Sequence, residues 1–278
     1  MKITVYVVHY KFINLLEWQY EGIKKFSKED VEYVVINNGF DKSFANDVSE
    51  VCKKLNLREI KIEHSDKRIL YTAMDHKTAL QYTYDNYISK DDSDIRVVMD
   101  SDIIPFAPFS FVEMLNNSDI AGIKMHLGSD IYIASFISIF SKNVEFSDLN
   151  LGIDYEFDSG LPMTSLVSKH KTNFLKHTAP MQEKEAPYVF RNSIKEKVME
   201  YNPNYTIQII EGSLLHYYRG TSWDNGDMNF YNNKTNFIKH FLENTDDYNI
   251  YLDENVQYDL AHMDSWLDKE NYFKRLIF

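Results

Sequence analysis

A single cysteine, Cys52, serves the whole 278-residue chain. It rules out an internal disulfide and a cysteine-based zinc site, and it fits a reducing compartment, so the expected location is cytoplasmic. Long apolar runs are missing too. Residues 3–8 are too few for the core of a signal peptide, and no later run nears the ~20 residues of a spanning helix. Basic residues are outnumbered, 30 against 42 acidic ones, for a formal charge of −12. A surface of that sign repels nucleic acid and anionic lipid, so neither is an expected partner; a small anion held at a local metal or basic site is still allowed. Glycine and proline are scarce, at 9 and 6, and no repeat, low-complexity tract or linker divides the chain. What is plentiful is hydrophobic residues, 44% of the total, enough for the core of one large α/β domain.

The first hundred residues alternate between apolar runs and helical spacing. The pattern predicts strands over 3–8, 31–36, 59–62 and 95–99, and helices over 15–26, 43–55 and 71–88. Asn37-Asn38-Gly39 closes the second strand as a turn, and Ser43 is placed to N-cap the following helix. Such alternation argues a parallel sheet built from βα units. After Pro105 the rhythm changes: a short helix over 109–115, strands over 120–124 and 130–141, a helix over 161–169, a strand over 207–210, and an aromatic-rich helical tail.

The fourth strand ends in Asp100-Ser101-Asp102, followed by Ile103-Ile104-Pro105. Residues two apart on an extended chain point the same way, so the two carboxylates are expected to reach one side of the strand end together. Held that close they repel unless a cation joins them, and a hard divalent ion with oxygen ligands suits them. The alternative is a strand end with two solvated aspartates. The mouth beyond the carboxyl ends of parallel strands is also where open α/β sheets bind ligands.

A DxD pair after a fourth buried strand, about a hundred residues in, resembles the motif of GT-A glycosyltransferases. Val34-Val35-Ile36-Asn37-Asn38-Gly39-Phe40-Asp41 is similar to the second-strand ending of family 2-type members, with Asn37 where they usually carry Asp. Asn38 is then either a nucleotide contact or part of a tight turn. Asp75-His76-Lys77-Thr78-Ala79-Leu80 resembles a donor-side segment of related transferases, where His76 near a helix N-terminus would face a phosphate or lie on the surface. His9, closing the first strand, falls where the family places nucleoside contacts.

The run 214–223 resembles the late segment in which such enzymes supply a histidine to the metal, His216, with Arg219 offsetting the charge of the leaving diphosphate. An imidazole beside carboxylates suits Mn2+ or Mg2+. The alternative for His216 is a core histidine packed among tyrosines. Asp158, in Asp158-Ser159-Gly160 before a predicted helix, matches the acceptor-side base that takes a hydroxyl proton in inverting members, or it is that helix's N-cap; Asp154 and Glu156 stand nearby. Tyr132, Tyr217 and Trp223 are candidates to line an acceptor site.

The resemblance implies a single GT-A domain: a Rossmann-like nucleotide-sugar half over 1–105, an acceptor half over 106–225 and a helical tail over 226–278, with a mixed central sheet and helices on both faces. It implies a metal-dependent, inverting transfer from a UDP-sugar to a saccharide hydroxyl, with Asp100, Asp102 and His216 on the metal and Asp158 as base. A retaining transferase on the same fold and a catalytically degenerate sugar- or nucleotide-binding module are the alternatives. A haloacid dehalogenase-type phosphohydrolase carries its DxD on the first core strand; here three strands precede it.

Overall fold

The run ITVYVVH forms strand β1 (Ile3–His9), buried along its whole length, as expected of a strand covered on both faces. It pairs in parallel with β2 (Glu32–Asn37) and β4 (Ile95–Asp100), and β2 pairs in parallel with β3 (Arg58–Lys61). The connections are α1 (Ile13–Phe26), α2 (Lys42–Leu55) and α3 (Thr72–Asn86). Crossovers between parallel strands are right-handed as a rule; for this strand order the rule sets α1 and α2, which touch each other, on one face as the chain moves from β1 to β3, and α3 on the other as it returns to β4. These details come from a computed structural model that describes residues 1–10, 12–39, 42–62, 72–127, 129–147, 149–151, 161–177, 207–217, 228–243 and 258–259.

The sheet then becomes mixed. β6 (Ile120–Leu127) and β7 (Asp130–Ser141) form a hairpin, and β7 lies antiparallel to β4. Two short strands, β8 (Thr172–Phe174) and β11 (Tyr258–Asp259), pair in parallel with β6. The main path is therefore β11-β6-β7-β4-β1-β2-β3, with β8 also beside β6. A second, three-stranded sheet has the order β5 (Ile103–Pro105), β10 (Leu214–Tyr217), β9 (Ile207–Ile210), all antiparallel. Helices α4 (Phe111–Leu115), α5 (Thr164–Lys169) and α6 (Met228–Glu243) and the 3-10 turns Ile88–Lys90 and Leu161–Met163 complete the described elements. The tail thus supplies a helix and also an edge strand to the main sheet.

Local expectations shift in a few places. Helix α2 starts at Lys42, so Ser43 sits in its first turn rather than capping it. Ser110 does cap: it precedes α4 and accepts from the Glu113 amide at 3.0 Å. Helix α1 packs tightly on β5. A Cβ on Gly22 would lie 2.7 Å from the Pro105 carbonyl oxygen, so no larger residue fits that approach without movement.

Arg96 is the charged residue inside β4, and it is buried. Its guanidinium donates to the carbonyls of Ser141 (2.6 Å), Val144 (3.0 Å) and Ile88 (3.3 Å) and lies 4.8 Å from the Phe146 ring centroid. These three carbonyls and the ring face offset the cost of burying the charge, although Nε makes no hydrogen bond among the described residues. The arginine ties the end of β7 and the loop beyond it to β4.

Candidate active site

Parallel strands β1, β2 and β4 all finish at one edge, and their last residues are His9, Asn37 and Asp100. Strand β4 stops at Asp100. Ser101 and Asp102 form a turn, and β5 begins at Ile103. The extended chain expected through Asp102 is therefore absent, and the two carboxylates find separate partners. Asp100 Oδ1 lies 3.1 Å from His76 Nε2. Asp102 Oδ1 lies 3.7 Å from His216 Nε2.

Antiparallel pairing brings His216 there. In the β5–β10 ladder, His216 stands opposite Ile103, the residue after Asp102. Phe136 of β7 braces the imidazole, with ring centroids 4.3 Å apart and planes 33° apart. His216 Nδ1 is 3.0 Å from Gln208 Oε1 on β9, and Gln208 Nε2 is 2.9 Å from His177 Nδ1. All three side chains are buried. Burial pushes the His216 pKa down to about 4 although Asp100 pulls the other way, so the ring is neutral near neutrality.

Asp100 is better exposed than Asp102, at 27% of its side chain against 7%. Burial acts to raise the Asp100 pKa, but His76, through its charge and its hydrogen bond, brings it below the ordinary carboxylate value. Helix α3 begins at Thr72, so His76 sits beyond its first turn and meets Asp100 there.

The backbone of the turn is clamped from α1. Gln19, fully buried, donates from Nε2 to the carbonyls of Asp100 (2.8 Å) and Ile103 (2.7 Å). Its Oε1 accepts from the Tyr33 hydroxyl at 2.6 Å, and His9 Nε2 lies 3.5 Å from that hydroxyl. His9 is wholly buried, and burial pushes its pKa down to about 3. Its Nε2 faces this internal network. Asn38 is also buried, and its amide donates to the His9 carbonyl at 2.9 Å, which ties the β2 turn to β1.

Asn37 departs from the aspartate of the resembled motif for a visible reason. Its Nδ2 lies 2.6 Å from Glu59 Oε1 on β3 and 2.7 Å from the Ala45 carbonyl, and its Oδ1 accepts from the Gly39 amide at 3.1 Å. A donor is required opposite Glu59, and aspartate has none when ionised.

Sequence reasoning passed over Gln19, His177, Gln208 and Arg96. A polar residue at an apolar-face position of a predicted helix was the available signal for Gln19. Asp158, Arg219, Trp223, Asp154 and Glu156 lie outside the described residues, as does the side chain of Tyr217. Tyr132 is fully buried in β7.

Two carboxylates and a neutral imidazole form a donor set that fits a hard or borderline divalent cation. Among the described residues, no three such side chains already stand gathered as a metal cage. Asp102 and His216 form one pair, and Asp100 is engaged by His76.

Solved structures with partial likeness to the chain include a mannosyltransferase from Pyrobaculum calidifontis in complex with GDP-Man and Mn2+, at 15% identity and a TM-score of 0.43 over 62% of this chain and 54% of that one. TarS from S. aureus aligns at 14% identity and a TM-score of 0.39, over 59% of this chain and 54% of that one. LgtC aligns at 10% identity and a TM-score of 0.36, over 50% and 57%. These neighbours are glycosyltransferases of the GT-A type. The alignments span little more than half the length of each, and a likeness at these scores says nothing of substrate. No protein-family model matches the chain, and no curated sequence does. Among the described residues, no helix is long and apolar enough to cross a membrane.

Proposed function

We propose that this chain is a glycosyltransferase that moves a sugar from a nucleoside diphosphate, UDP by resemblance, to a saccharide hydroxyl. The observation that carries the reading is the Asp102–His216 pair, set across β5 and β10 beside Asp100 at the carboxyl edge of the parallel strands. Asp100, Asp102 and His216 are the residues that would hold Mn2+ or Mg2+. Bound there, the cation would neutralise charge on the diphosphate as it leaves. His76 fixes Asp100 in its ionised form, and Gln19 holds the turn between the two aspartates rigid.

In the inverting form of the reaction, the acceptor oxygen bonds to the anomeric carbon as the bond from that carbon to the diphosphate oxygen breaks. The acceptor proton passes to a carboxylate, and Asp158 is the residue assigned that role by resemblance. Arg219 is assigned to the leaving diphosphate on the same ground.

Thermal stability with UDP, GDP, TDP or CMP, each with and without Mn2+, tests the proposal. Ligand at a hundredfold excess over its Kd adds about 2.7 kcal/mol to the native state. The expected result is a metal-dependent shift with one nucleotide, lost in Asp102→Ala. No shift with any nucleotide in the presence of Mn2+ would overturn the proposal.

A further inference from the structure

The buried chain His177–Gln208–His216 does more than pack. Each histidine presents Nδ1 to a different end of one primary amide, at 2.9 Å and 3.0 Å. An amide nitrogen only donates and an amide oxygen only accepts. With Gln208 Nε2 placed toward His177 and Oε1 toward His216, His177 Nδ1 accepts and His216 Nδ1 donates. A neutral imidazole carries one N–H, so the His216 proton is spent on Nδ1. Its Nε2 is left as a lone pair aimed toward Asp102 Oδ1, and 3.7 Å is too long for a hydrogen bond between them. A nitrogen lone pair and a carboxylate oxygen facing each other at that separation suit a divalent cation.

We infer that Gln208, oriented by His177, is a positioning residue that sets the His216 tautomer and thereby makes Nε2 competent to ligate a divalent cation. The inference rests on the transferase reading for the purpose of the site, but the tautomer itself does not. A histidine held in the other tautomer would turn an N–H toward the aspartate and form an ion-pair-like lock in place of a ligand. Ligating histidines elsewhere are fixed in the same way through their second nitrogen, and loss of that partner typically weakens metal binding 10- to 100-fold.

The first test is nitrogen-15 NMR of the histidine side chains in the full, metal-free chain, with His216→Gln used to assign the signal. The expected result is a proton on Nδ1 and a bare Nε2. A proton on Nε2 overturns the inference whatever the enzyme does. The second test is Mn2+ affinity by titration calorimetry. Gln208→Leu should lose about 10- to 100-fold and mix the two tautomers. Gln208→Glu keeps an acceptor for His216 Nδ1 and should retain affinity within a few fold. Full Mn2+ affinity in Gln208→Leu overturns the inference; should that variant not fold, the wild-type spectrum and Gln208→Glu still decide. The inferred tautomer in a chain that binds no Mn2+, with or without nucleotide, would leave Gln208's hold on the tautomer standing but overturn the metal-ligating role of His216.

Discussion

Asn37→Asp changes one atom group and no volume, yet it sets a second carboxylate against Glu59. The Asn37 Nδ2 to Glu59 Oε1 distance is 2.6 Å, Asn37 is 2% exposed, and the Glu59 side chain is 15% exposed. Two like charges at that separation repel by about 6 kcal/mol at an effective dielectric near 20. The pair escapes by binding a proton. Protonating one carboxyl with an ordinary pKa of about 4 at neutral pH costs about 4 kcal/mol, and this sets the ceiling. Lys61 Nζ, 3.7 Å from Glu59 Oε2 but 63% exposed, offsets under about 1 kcal/mol. The expected loss at neutral pH is therefore about 2–4 kcal/mol.

The pH dependence has a fixed sign. Repulsion raises the folded-state pKa of the pair above its unfolded value. The variant is then nearly as stable as wild type below about pH 4 and loses ground as pH rises through the folded-state pKa. Urea denaturation at both ends of that range measures it. Asn37→Asp combined with Glu59→Gln restores a donor between the two positions and should recover most of the loss. A neutral-pH stability equal to wild type, or a deficit unchanged by acid, would refute the reasoning.

Gln19→Leu orphans two buried carbonyls and the Tyr33 hydroxyl, so it should destabilise by about 2–4 kcal/mol in denaturant titration, against about 1 kcal/mol for Tyr33→Phe. Arg96→Met leaves three buried carbonyls without their donor and should cost about 3 kcal/mol by the same assay, despite similar volume. Asp102→Asn keeps the shape of the turn but removes a charge, so its nucleotide-free stability should stay within about 1 kcal/mol of wild type while Mn2+ binding falls; retained Mn2+ binding would contradict the assignment.

Strands β1, β2 and β4 were legible because each is rich in β-branched and other apolar residues that no helix period explains. Strands β5, β8 and β11 have two or three residues each, too few for any period to register, and they owe their existence to their partners. The turn at Ser101-Asp102 was missed because nothing in those two residues distinguishes it from a strand end. The clamp by Gln19, the fork of Arg96 and the Gln208 link were illegible for a common reason. Each polar side chain bonds groups remote in sequence, and local pattern, though it can flag a polar residue on an apolar face as at Gln19, does not name those partners. His216 was singled out by its motif alone; its nearness to Asp102 needs the β5–β10 ladder, which only the folded chain supplies.

That ladder has a consequence for the order of events in time. More than a hundred residues lie between Asp102 and His216, and the first four strands of the sheet are complete before β9 and β10 have been synthesised. Closing a loop of that length is slow and comes after local contacts have formed. A nascent or truncated chain ending before residue 207 can own both aspartates, correctly strung on their sheet, and still lack the imidazole that faces them. The imidazole reaches the aspartates only with the short antiparallel strand that carries it.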